Sequence, residues 1–499
     1  MRSSADLRPL LGATAILALL LVTTASSATY QAGRDLQATV DGAMPGDTIL
    51  VGPGVYEKVE ITKSITLIGE GARIRPGDRN IGIRIAADDV TVSGFTVEGG
   101  FYGIHLVGSK NCTVSDNTVT GAVQWGIGLI SSDGNTIKKN VANYNGPGPH
   151  RWYGIYLSGS NRNHILDNEA SFNGEYGICL FPSCSDNVIS GNVAVGNRYG
   201  IYAFTNCNDN VIARNRLANN EIAGIKLIGG CIKNHILENE ISENGVVGIF
   251  LQTGSGYNII RGNEIAKNQL FGVQILEGPA GNNTIFENNI SGSQRGIVVN
   301  TDGNHIYNNR IFDAVIPAED RGANQWYAAY PVGGNFWGSY IGTDEMSGPG
   351  QNISGPDGFA DLPYVINDRA RDIYPIMGDS VHPIQIVRAS VHPARAQMGT
   401  PVTVEVALES ENGLAQVSAR AKSLLVSSEP IRPITMYQSG EGVYAGTLQT
   451  ALMGAGRYVI VLTAKDARGF ELVEEMGELE ILPRSGRDFN EALSSAMGR

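Results

Sequence analysis

The chain has 499 residues, 42% hydrophobic and 17% charged, which is enough for a buried core and too apolar for a disordered tail. A net charge of −12 argues against nucleic acid as a partner, since phosphate binding needs a basic face, and leaves a polyanionic substrate dependent on local cations. Glycine, at 63 residues, is nearly twice its ordinary share of about 7%, and 33 of the 40 asparagines fall between residues 101 and 310; so local a skew signals a repeat.

At the N-terminus, Arg2 and Arg8 precede an apolar run from Leu10 to Val22, and Ser26-Ser27-Ala28 offers small residues for cleavage. This predicts a secretory signal over 1–28, a mature chain from about Thr29, and a secreted or cell-surface location. The alternative is an uncleaved anchor, for which 13 apolar residues make a short span. No later run reaches spanning length, so no transmembrane span is expected after cleavage. Residues 29–100 read as a cap and first coils. Leu36 to Ala43 is an amphipathic helix, followed by strands at Thr48-Ile49 and Ser64-Ile65-Thr66-Leu67-Ile68; a helical cap covers the unpaired backbone at a solenoid end.

The repeat occupies 101–310. Glycine followed by Ile or Val recurs at Gly103, Gly126, Gly154, Gly177, Gly200, Gly224, Gly248, Gly272 and Gly296, spaced by 23 or 24 residues apart from one interval of 28. An asparagine closes a β-branched run in each unit, from Asn117 and Asn140 to Asn288 and Asn309, and a second follows five residues later, as at Asn145 and Asn173. Short alternating runs such as Gly154-Ile-Tyr-Leu lack any helical stripe, so they are strands with Ile155 and Leu157 inward and Tyr156 outward. Three strands and three turns per unit make one coil of a parallel β-helix. Asn and Gly suit its left-handed corners, and asparagines stacked about 4.8 Å apart are expected to form structural ladders.

Residues 311–380 form a closing block. From 381 to 483 the repeat vanishes, and alternating runs such as Val402-Thr-Val-Glu-Val-Ala-Leu and Tyr458-Val-Ile-Val-Leu-Thr-Ala predict an immunoglobulin-like β-sandwich without its disulfide pair. It is read as a spacer, or a docking module for cell-envelope proteins, with a polar tail over 484–499.

The phrase Pro45-Gly-Asp-Thr-Ile, Pro53-Gly-Val-Tyr and Ser64-Ile-Thr-Leu-Ile-Gly resembles the opening of pectate-lyase-like right-handed β-helices. The Gly-Ile-x-Leu…Asn-x-Ile-x-x-Asn units resemble the repeats of NosD-like proteins, also described as carbohydrate-binding and sugar-hydrolase domains. Gly334-Asn335-Phe336-Trp337, Asp357-Gly-Phe-Ala-Asp361 and Asp372-Ile-Tyr374-Pro375 resemble the family's closing block, with a longer insert after Tyr340. The resemblance covers about 34–380. It implies an all-β, right-handed parallel β-helix, and says less of activity because such folds host enzymes, binders and surface proteins alike.

Two outward columns follow from the register. The residue before each glycine gives Tyr102, Trp125, Tyr153, Tyr176 and Tyr199 in succession, and the residue two after it gives His105, Tyr156, Cys179, Tyr202 and Lys226 among others. With Phe181 and Phe204 they predict an exposed aromatic face for a polysaccharide or glycan, whose C–H faces stack on rings; the competing reading is coil-to-coil packing. The long interval inserts Gly146 to Trp152, placing His150, Arg151 and Trp152 beside this face. The strand columns carry no Asp or Glu, which disfavours a two-carboxylate hydrolase. A uronate lyase or C5-epimerase is the alternative, with Arg151 or Lys226 neutralising the sugar carboxylate and His105, His150, Tyr156 or Tyr202 moving the proton. A surface-layer or adhesion protein is the third reading.

Among cofactors, Asp344, Asp357 and Asp361 are calcium candidates, though turn chemistry explains them as well. Five cysteines leave at least one unpaired, and Cys184, Cys207 and Cys231 share a column of small residues close enough for one disulfide. The resemblance implies copper, but no Cys–His spacing supports it.

Overall fold

The structure is a computed structural model describing residues 27–146, 152–276, 278, 281–378, 384–410, 413–423, 432–453, 456–466 and 471–482. Residues 1–26 of the expected signal, the tail from 483, and His150 and Arg151 lie outside the described residues.

Leu36–Gly42 is the expected helix, capped by the Asp35 carboxylate accepting from the Ala38 amide at 3.0 Å. After it the chain winds as a parallel β-solenoid of about 11 turns. The first sheet has 13 strands, from Thr29–Gln31 to His305–Tyr307, and the third has 12, from Val59–Ile61 to Ile316–Asp320. The second splits into five and six strands, bridged singly at Glu169 and Val193. Strands pair in register, Ile127 with Ile155 and Ile155 with Ile178, so inward positions form fully buried isoleucine, leucine and valine columns.

Asparagine ladders hold the turns. Asn192 accepts from the Asn168 amide at 2.9 Å, and its own amide side chain donates to Ile165 O at 2.8 Å and Asn215 Oδ1 at 3.0 Å. A third ladder, Asn135 through Asn163, Asn187 and Asn210, was not isolated by the spacing. The left-handed conformation belongs to the residue before the ladder asparagine, as at Asp116, Lys139 and Arg214, and not to the asparagine itself. The repeat glycines serve close approach instead: a Cβ at Gly103 would sit 2.4 Å from the carbonyl oxygen of Gly126 on the next coil.

The C-terminal part is two sheets packed face to face. One holds Ile384–His392, Val402–Ser410, Val443–Leu448 and Met436–Gly440, the other Arg395–Gln397, Glu471–Leu482, Gly456–Asp466, Leu414–Ser423 and Arg432–Ile434. Val402 and Val404 from the first and Tyr458, Ile460 and Leu479 from the second share one core. This unit docks at the corner between the first and second sheets, where Arg261 Nη1 donates to Val473 O at 2.8 Å and Arg214 pairs with Glu475 at 3.5 Å. Among the described residues, the contacts of this unit lie away from the third sheet.

Candidate functional site

The third sheet brings the predicted aromatic residues together, because in-register pairing sets their columns one coil apart, with Trp125 stacking on Tyr156 and not on its register partner Tyr153. Trp125 stacks on Tyr156 at 4.9 Å, Tyr153 on Tyr176 at 5.1 Å, Tyr176 on Tyr199 at 5.4 Å, and Phe181 on Phe204 at 4.9 Å. Tyr202 lies 4.5 Å from Tyr176, and Trp152 meets Tyr153 edge to face. The expectation of an exposed strip needs correction. Trp125 and Tyr199 are each only 8% exposed, and the other rings are half-buried, since each covers its neighbour's face. What faces outward is a ridge of partly covered rings.

The other candidates divide. Lys226 joins the ridge, its ammonium 4.7 Å from the Phe250 ring centroid and 5.7 Å from that of Tyr199. His105 is 9% exposed, wedged against Tyr102 and Trp125, with both ring nitrogens unpartnered; burial and nearby Arg84 push its pKa down to about 4. Burial pushes Tyr156 up to about 12 and raises Tyr153, Tyr176 and Tyr202 as well. None of these phenols is poised to take a proton near neutral pH.

Sequence columns missed a carboxylate beside the ridge. Glu175 pairs with Arg198 at 2.9 Å, one position before Tyr176 and Tyr199. It stands in the turn leading into the strand, outside the alternating positions. At the N-terminal end, His105 pairs in register with Arg84, which bonds Glu60 at the edge of a cleft of about 680 Å³ lined also by Gln37, Arg79 and Asn80.

The calcium candidates are turn anchors. Asp344 accepts from the Asp357 and Gly358 amides at 2.9 and 2.8 Å. Asp357 accepts from the Gly348 and Phe359 amides, and Asp361 from Thr343 and the Glu345 and Met346 amides. Their oxygens are turned to the chain and do not converge on a shared point. All five cysteines are buried free thiols, Cys184 and Cys207 fully so in adjacent coils. Burial pushes Cys112 up to about 11 and Cys179 well above the ordinary thiol range. Soft-metal binding needs thiolates on a common centre. Among the described residues no three His, Cys, Asp or Glu side chains offer one, so this donor set does not fit a copper ion.

A family model described as "Periplasmic copper-binding protein (NosD)" matches residues 40–227 and 203–342. The cell surface glycoprotein of Methanothermus fervidus is 30% identical over 151 residues, which is 23% of this chain and a quarter (25%) of that relative's length. The catalytic domain of a GH87 alpha-1,3-glucanase in complex with nigerose superposes with a TM-score of 0.52 at 17% identity, covering 62% of this chain and 68% of that one. The A-module of an Azotobacter vinelandii mannuronan C-5 epimerase gives a TM-score of 0.44 at 18% identity, over 58% of this chain and 91% of its own.

Proposed function

We propose, from the premise that this chain belongs to the NosD family, that it is an exported cell-surface protein binding extracellular or envelope polysaccharide along the third sheet. One observation carries the reading. From Tyr102 to Phe204 that sheet presents an unbroken aromatic ridge on the side away from the docked C-terminal unit. The partly exposed rings offer apolar surface to the C–H groups of a sugar chain, and the Glu175–Arg198 pair beside them offers charged partners for its hydroxyls.

The glycoprotein match in Methanothermus fervidus supports a surface location. The lyase or epimerase reading has less support, because the phenols are raised and His105 is enclosed.

NMR in heavy water of mature protein with neutral and uronate polysaccharides tests the reading. Broadened glycan lines without deuterium at C5, lost in the triple variant Tyr153→Ala, Tyr176→Ala, Tyr199→Ala, are expected. Deuterium incorporation would replace binding by catalysis. A folded protein silent towards every glycan would sink the proposal, and self-association lost in the same variant would favour assembly.

A further inference from the structure

The most exposed ring stack of the solenoid lies outside the ridge. At the corner between the second and third sheets, one column runs Gly99, Gly121, Tyr144, Phe172, Gly196, and all five adopt left-handed backbone. For bulky aromatic residues that conformation is a genuine outlier, with φ of 57° at both Tyr144 and Phe172. Tyr144 is nevertheless 61% exposed and Phe172 49%, more than any ring of the ridge. Their rings stack at 5.4 Å and 10° from parallel.

The glycines on either side are unlike each other. A Cβ at Gly196 would strike the Phe172 ring at 2.6 Å, so Phe172 lies over that glycine and Tyr144 lies on Phe172. On the other side, among the described residues, a Cβ at Gly121 would meet only the Gly99 main chain, at 3.6 Å, and a Cβ at Gly99 would meet nothing within 4 Å. The outer face of Tyr144 therefore overlooks an open glycine floor two coils long. Glu98 and Thr120, each just before a floor glycine, border it on the sheet side.

We propose that Tyr144, Gly121 and Gly99 form a sugar-stacking subsite for one pyranose ring of the glycan. A pyranose is thin enough to stand edge-down on a floor lacking side chains with its C–H face against the Tyr144 ring, while Thr120 and Glu98, whose carboxylate also binds Arg73 and Arg75, border the position of its hydroxyls. This supplies the face-on contact that the ridge, with its ring faces mutually covered, withholds. The assignment deepens the polysaccharide reading and rests on it.

Titration of the mature protein with soluble dextran, laminarin and alginate oligosaccharides, alongside thermal melting, tests it. Tyr144→Asn should weaken the bound glycan about tenfold while the melting temperature holds or rises, because asparagine tolerates the left-handed backbone better. Tyr144→Phe, which keeps the ring, should bind nearly as the parent does. Gly121→Asn, tolerant of the same backbone, should fill the floor and weaken binding without loss of fold. Unchanged affinity in Tyr144→Asn, with parent binding intact, would overturn the subsite and leave the ridge standing. No binding by the folded parent would remove the polysaccharide reading and the subsite with it.

Discussion

The Trp125 indole lies parallel to the Tyr102 phenol, 3.8 Å apart and 6° from coplanar, and occupies the space above Gly128. A Cβ at Gly128 would stand 2.2 Å from the indole Nε1. The missing side chain thus lets the ridge close over one coil. Gly128→Ala should push the indole outward and cost about 1–3 kcal/mol, the usual penalty of overpacking. Urea unfolding followed by tryptophan fluorescence checks both effects; an unchanged midpoint and emission would show that the ring has room to yield.

His105 is buried without a partner for either nitrogen. Its pKa is pushed from 6.5 to about 4, so the unfolded chain takes the proton first. Stability is then fully present above about pH 6.5 and declines as pH falls toward 4, by about 3 kcal/mol in all. His105→Phe should remove that slope and be neutral or stabilising at pH 7, since an unsatisfied polar group gives way to an apolar ring. Equal pH dependence in variant and parent, by denaturant titration at pH 4.5 and 7, would contradict this.

Asn192 sits mid-ladder, accepting from Asn168 and donating to Ile165 O and Asn215. Asn192→Ala leaves buried amides and carbonyls of adjacent coils unpaired and should cost about 3–5 kcal/mol, several times a single net hydrogen bond. Asn219→Ala, at a left-handed corner outside the ladder, offers a control in which only backbone strain changes. Denaturant midpoints that rank the two equally would remove the ladder from its structural role.

Ala28 belongs to the folded chain: its amide donates to Asp47 at 2.8 Å and its carbonyl accepts from Thr48 at 2.8 Å. Cleavage after Ala28 would discard both bonds, whereas cleavage after Ser27 would set a new ammonium against the Asp47 carboxylate. If the chain is exported as proposed, its intact mass should therefore place the first residue at or before Ala28. The Ala28 and Met44 amides hold the Asp47 pKa below the usual range, so this contribution is present above about pH 4 and fades in acid. A mature chain starting at Thr29 with unaltered melting would refute the assignment.

Periodicity made the solenoid readable. A glycine every 23 or 24 residues and alternating β-branched runs admit one way to stack, because any register slip would turn Ile155 and Leu157 outward. The same register located the ridge, since it brings the aromatic columns of successive coils to one sheet. The reason for each repeat glycine was not readable: the spacing suggested corners, while the coordinates place it where a neighbouring carbonyl leaves no room for a Cβ.

The sequence by itself determined the repeat, two of the three asparagine ladders, and the columns that bring the ridge rings to one sheet, because these follow from local period and covalent order. Only the tertiary structure decided that the ridge rings cover one another, that Asp344, Asp357 and Asp361 are spent on turn amides, and that Glu175 pairs with Arg198. It also decided that Tyr144 overlooks bare glycine. Those outcomes depend on ring orientation and on what each neighbouring coil leaves open, and a one-dimensional column of residue types carries neither.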